Sequence, residues 1–328
     1  VAWVDKWESS DAYSTDTPVL VCSYNRPDLL RKLLIFLRQN QILNVYFYSD
    51  GPTIELDSIK AVNSCRDIFR ELFPLHPRNK LFMANENLGC RNGMASAITW
   101  FFNQVDFGVI LEDDCMPSQD FFRFIDEAHL NLVNRNDVFC IAGNNNVGSP
   151  ITSHTLSSFP FVWGWATWSE KWEKYRLNFG DASELSRIKA KEVYSNKRGK
   201  NWFLNNFRKL RFVFFWTVVL KLAGSGKIDT WDYSLIATLW REKQKCVVPH
   251  VNMVVNLGFN AMATHTKGYR PRWVPTTYSH LDENEIKFRV EKDSQELDRW
   301  SNKEIYNATY FGAIRLILSN VQMIIRST

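Results

Sequence analysis

Glu112-Asp113-Asp114 follows directly on Phe107 to Leu111, an apolar run that reads as a buried strand. Three adjacent carboxylates at the end of such a strand repel one another and lose hydration, which is costly unless a cation neutralises them. A hard divalent ion that keeps several waters and bridges two phosphates needs only one or two protein carboxylates. A solvated acidic turn is the competing reading. The apolar strand before the trio and the Phe121-Phe122 segment after it favour the metal site.

Asp232, in Thr230-Trp231-Asp232-Tyr233, is the candidate general base. A displacement with inversion at an anomeric carbon needs a carboxylate beside the attacking hydroxyl, opposite the departing diphosphate. A helix cap or first-turn aspartate is the equal alternative, with Asp229 as fallback. His265, in Ala263-Thr264-His265-Thr266-Lys267-Gly268, is placed to reach a metal or diphosphate, with Lys267 and Arg270 adding positive charge; a hydrogen-bonded structural histidine is the alternative. Arg91 and Asn92 stand at a Gly-containing helix start, a place that suits anions. In Phe161 to Trp168, Trp163 and Trp165 flank Gly164 and are expected to form an aromatic wall for a sugar ring.

Short apolar runs alternate with helical stripes in the first half. Val19 to Cys22 reads as a strand and Pro27-Asp28 as a helix start, with Leu29, Leu30, Leu33, Leu34 and Leu37 at helical spacing. Val45 to Tyr48 is the next strand, Ile59 to Leu72 a helix, Lys80 to Phe82 a strand and Gly93 to Phe102 a helix. This alternation predicts an α/β fold with a mostly parallel sheet flanked by helices. Working groups gather at the carboxyl ends of such strands, so Tyr24-Asn25-Arg26, Ser49-Asp50-Gly51 and Glu112-Asp113-Asp114 are expected on one edge. Val247 to Val255 is expected to return to the sheet as one strand, and Tyr306 to Ile325 to form an amphipathic helix. That helix packs on the body or, with Arg315 and Arg326, lies on a membrane surface.

The expected organisation is an extension over 1–17, a nucleotide-binding α/β half over 18–150, an acceptor half of the same domain over 151–270, and a helical extension over 271–328. A net charge of +5 is too diffuse for a nucleic-acid partner, and the one dense basic segment is Lys189 to Arg211. The six cysteines lack metal-finger spacing and several lie in apolar runs, which favours a reducing, cytoplasmic setting, with the inner face of the plasma membrane as the place for any peripheral association. The longest greasy run, Phe212 to Leu222, is too short to cross a bilayer. Because the first residue is Val, the chain reads as an excerpt of a longer one.

The order of these motifs resembles a known group. A strand ending in Asn25-Arg26, a second in Ser49-Asp50, the Gly- and Arg-containing helix, Glu112-Asp113-Asp114 followed by Asp120-Phe121-Phe122, Phe159-Pro160 with Gly164-Trp165, and Trp231-Asp232 look like the GT-A glycosyltransferases. The likeness is to the N-acetylglucosaminyltransferase I type and to bacterial family-2-like sugar transferases of surface polysaccharide synthesis. It spans roughly residues 18 to 268 and is strongest from Val109 to Phe122.

The resemblance implies an inverting enzyme that moves a sugar, N-acetylglucosamine first among the choices, from a UDP-sugar to a saccharide or lipid-linked saccharide. It implies Arg26 and Asp50 around the base, Glu112 and Asp113 at sugar and ribose, Asp114 on Mn2+ or Mg2+, and Asp232 as base; His265 falls where the family has a histidine after its last strand. The family carries two adjacent Asp where this chain has Trp231-Asp232, so the base is less firmly matched than the metal ligand. A nucleotidyltransferase is the alternative enzyme, but it is expected to show a Gly-rich loop after its first strand, and Ser23 to Asp28 contains no glycine. A non-catalytic sugar-binding module would account for the Trp content but not for three polar strand ends.

Overall fold

The computed structural model describes residues 13–74, 79–147, 153–195, 202–259, 270–281, 290 and 294–327, with side chains described to residue 318. Four strands open the chain: β1 (Val19–Ser23), β2 (Val45–Ser49), β3 (Lys80–Met83) and β4 (Phe107–Glu112). They alternate with α1 (Pro27–Gln39), α2 (Leu56–Leu72) and α3 (Gly89–Phe102). Then come β5 (Cys115–Pro117), α4 (Gln119–Leu132), β6 (Val138–Ala142), β7 (Thr155–Ser157), β8 (Trp165–Trp168) and α5 (Ser169–Trp172). The rest comprises α6 (Ala182–Val193), α7 (Trp202–Gly224), α8 (Asp232–Glu242), β9 (Lys245–Val248), β10 (Val254–Asn256), α9 (Gln295–Trp300) and α10 (Tyr310–Ser327).

Eight strands form one sheet in the order β3-β2-β1-β4-β8-β6-β9-β7. β1 to β4 are mutually parallel. β8 runs antiparallel between β4 and β6, β9 is parallel to β6, and β7 closes the edge antiparallel to β9. This is the expected fold class: α/β, Rossmann-like, with a mostly parallel central sheet flanked by helices. Strands from both sides of residue 150 interleave, because β8 lies between β4 and β6.

Helices cover both faces of the central strands, which explains why β1, β2, β4 and β6 are buried along their length instead of alternating, whereas the edge strand β3 is partly exposed. Along β1, Val19 and Val21 face a core shared with Leu33 and Leu37 of α1, Phe69 of α2 and Phe121 of α4. Leu20 and Cys22 face the opposite core, built from Ile98 and Phe101 of α3, Trp216 of α7 and Leu235 of α8. Each large side chain buried this way contributes about 1.5–3 kcal/mol relative to an exposed one. Part of the basic segment is internal too: Lys189 is buried, donating to Ser158 Oγ and paired with Glu192.

The single return strand expected from Val247 to Val255 is two strands. Pro249 has no N–H to continue the ladder, and the chain turns through His250 to Asn252, held by Asn145, whose amide donates to the carbonyls of Pro249 and His250. β10 then leaves the main sheet and pairs antiparallel with β5, directly after the acidic trio.

Candidate functional site

Because β1, β2 and β4 are parallel neighbours, their carboxyl ends coincide, and the loops after them line one cleft together with the start of α3. Tyr24, Arg26, Asp50, Glu112 and Asp113 all line it, as do Asn87, Gly89 and Asp229. It is an open cleft with a cavity volume of about 210 Å³.

Arg26 is the counterion of the trio: its Nη1 lies 2.5 Å from Asp114 Oδ2 and 3.6 Å from Asp113 Oδ1. Ser23 Oγ and the Tyr24 N–H donate to the other oxygen of Asp113 at 3.1 and 3.3 Å. One guanidinium does not balance three carboxylates. Burial first, and then the neighbouring negative charges, push the Glu112 and Asp113 carboxyls well above their ordinary range, with Arg26 opposing. Gly258 closes against the trio so tightly that a Cβ there would sit 2.1 Å from Asp114 Oδ2.

Asp113 and Asp114 offer carboxylate oxygens, the donor type that a hard divalent ion takes. Among the described residues no group of three or more His, Cys, Asp or Glu is arranged to hold a metal alone. An ion held at Asp113 or Asp114 would draw its remaining ligands from outside these two side chains and would add positive charge beside Arg26.

Asp50 is buried and accepts hydrogen bonds from the Gly51 and Leu88 N–H groups and from Asn87 Nδ2. It braces the loop before α3 while its edge lines the cleft. Tyr24 donates to or accepts from Ser58 Oγ at 3.0 Å, tying the first loop to α2. Asp232 occupies the first turn of α8; its Oδ1 accepts from Thr230 Oγ1 and from the Tyr233 N–H. The local geometry is thus that of a first-turn aspartate, and its charge also reaches Glu112 and raises that carboxyl.

Two expectations are corrected. Trp165 is only 1% exposed, on a central strand, with its ring stacked 5.6 Å from Trp231. It is an internal strut under the start of α8 and cannot meet a ligand. Trp163 is the half-buried ring, stacked 5.8 Å from Trp273 and edge-on to Phe259. Arg91 turns its guanidinium away from the cleft to the carbonyls of Leu177 and Gly224. The helix start it marks already holds an anion: Asp229 accepts from the Cys90 and Arg91 N–H groups at 3.1 and 2.8 Å. This also occupies Asp229, the fallback base. His265 and Lys267 lie outside the described residues.

Sequence reasoning passed over Tyr48 and the Asn144-Asn145-Asn146 run. Tyr48 lines the cleft from the end of β2, is 2% exposed, and its hydroxyl has no hydrogen-bond partner among the described residues. A tyrosine in a strand reads simply as core, so no signal marked it. The asparagines follow β6 in the same strand-end position as the other polar clusters, and that pattern was available; all three are buried, and Asn144 Oδ1 is unpartnered among the described residues.

No protein-family model matches this chain, and no curated protein does. Solved structures similar to it include HddC from Yersinia pseudotuberculosis, at 12% identity over 47% of this chain and 77% of that one, with a TM-score of 0.31. Mannose-1-phosphate geranyltransferase from Thermus thermophilus is similar at 11% identity over 72% and 74% of the two chains, with a TM-score of 0.35. At these values the likeness carries no argument about activity, and the fold stands on its own strand order.

Proposed function

We propose that this chain is a transferase acting on a nucleotide sugar, and that it moves the sugar from a UDP-type donor to a hydroxyl acceptor with inversion. The observation that carries the reading is the convergence of three polar strand ends on one cleft, with Glu112 and Asp113 in its lining and the single guanidinium of Arg26 set against the acidic trio. The base and ribose would lie against Tyr24, Tyr48 and Asp50, and the diphosphate near Arg26. Asp113 and Asp114 would hold a divalent ion together with the phosphates, and when bound this ion offsets the charge that grows on the leaving group. Asp232, in the first turn of α8, would take the proton of the attacking hydroxyl. Trp163, with Trp273, is the ring pair available to stack on a sugar. His265 and Lys267 are proposed as diphosphate or metal contacts, and N-acetylglucosamine as the first donor sugar to test.

Nucleotidyl transfer to a sugar phosphate is the second reading, since Arg26, at the end of the first strand and on the cleft, has the charge to meet a triphosphate as well as a diphosphate. The two are separated by product. Incubation with UDP-N-acetylglucosamine, Mn2+ and a saccharide panel is expected to release UDP, whereas a nucleotidyltransferase given UTP and a sugar 1-phosphate releases pyrophosphate. Asp114→Ala is expected to abolish metal-dependent turnover, and Asp232→Asn to keep donor binding while losing turnover by about a hundredfold or more. Undiminished transfer by Asp232→Asn would remove it from the mechanism.

A further inference from the structure

The surface formed by α7 and α10 has an apolar face that the fold leaves uncovered. Phe203, Phe207, Leu210 and Phe214 are exposed and recur four, three and four residues apart, one stripe along α7. On α10, Phe311, Ile314 and Leu318 make a second exposed stripe. Tyr310 sets the two side by side, its ring 6.0 Å from Phe207 and 5.2 Å from Phe214. Phe203 and Phe311 are 83% and 75% exposed, unusual for rings that find no place in a core.

The two helices that make this face carry charge of one sign: α7 has Arg208, Lys209, Arg211 and Lys221 and no Asp or Glu, and α10 contributes Arg315. A second copy docking face to face would set like charges against each other. An anionic surface would meet both features: apolar rings for the acyl boundary and cations for the headgroups. No described helix is long and apolar enough to cross a membrane, so the fitting geometry is two helices lying in the interface.

We propose that the α7/α10 face is a docking surface for an anionic lipid bilayer. α7 also links this face to the cleft: its C-terminal Gly224 accepts from Arg91 beside the start of α3, roughly 15 Å along the helix from Phe214 at 1.5 Å per residue. Docking would hold the cleft close to the lipid plane. This inference stands whether or not the proposed transfer reaction is correct.

The test is co-sedimentation of the full chain with vesicles of phosphatidylcholine alone and of phosphatidylcholine mixed with phosphatidylglycerol. The protein is expected to pellet with the mixed vesicles and not with the neutral ones, and to be released by salt. Phe203→Ser/Phe207→Ser/Phe311→Ser is expected to lose that binding at least tenfold, and Lys209→Glu/Arg315→Glu to lose about fivefold for each charge removed. Both variants change exposed or half-exposed side chains, and unchanged melting temperatures would establish that they fold. Failure to pellet at low salt, equal binding to both vesicles, or binding that neither variant weakens would overturn the proposal. So would a solution dimer that the Phe variant dissociates in a protein that does not bind vesicles.

Discussion

Tyr48 separates the cost of folding from the use of a site. A buried hydroxyl without a partner carries a desolvation penalty, and here burial, with Asp50 nearby, pushes the phenol far above its ordinary range, so it is a proton donor at all physiological pH. Tyr48→Phe is therefore expected to leave the unliganded protein as stable as before or slightly more so. Uridine nucleotide affinity should meanwhile fall about tenfold, the size of one lost hydrogen bond. Paired thermal melts and titration calorimetry measure both; a destabilised variant with full affinity would assign the hydroxyl to the scaffold. Gly258 acts at the same scale by admitting the Asp114 carboxylate where a side chain would collide with it.

Among the elements, α3 shows how a sequence signal can be sound and its occupant misassigned. Gly89 takes φ +75 and opens the helix, leaving N–H groups aimed at an anion. The anion is the protein's own Asp229, on the segment entering α8, so the contact ties two elements far apart in sequence across the cleft. Asp229→Ala is expected to cost about 1 kcal/mol, the usual loss for a removed helix cap, readable as a lower midpoint in urea. It should also loosen exchange protection at the start of α3 before the global transition. A variant with an unchanged midpoint and protection would show that water caps the helix equally well.

At the scale of the molecule, acid stability has an identifiable contributor. His154 is buried against Phe124 and His250, and burial, then the His250 charge, lowers its pKa to about 4. The unfolded chain binds a proton near pH 6.5 and the folded one only near 4, so the unfolded state carries more protons between those values and stability falls as pH falls through that window. The full loss is roughly 3 kcal/mol at about 1.36 kcal/mol per unit. Glu112 and Asp113 act in the opposite sense, since their raised carboxyls favour the folded state as pH drops. The comparison that isolates His154 is therefore the difference between the wild type and His154→Gln. That difference is expected to shrink from pH 7 to pH 4; a constant difference would show that the histidine does not titrate with folding.

The sequence by itself determined the open half of the sheet and the edge on which polar groups meet, because strands buried on both faces must be continuously apolar and parallel strands must end together. The runs at Val19, Val45, Lys80 and Phe107 and the carboxylate trio all stand where periodicity placed them. Tertiary structure alone decided what each neighbour of the cleft does with its side chain. Trp165 and Trp163 are two residues apart in one motif, yet β8 buries the first completely while the turn at Gly164 leaves the second half-buried against Trp273. Arg91 and Asp229 exchanged their expected parts because a helix N-terminus attracts whichever carboxylate the fold brings to it, and that meeting, between residues 138 positions apart, is written in no local pattern.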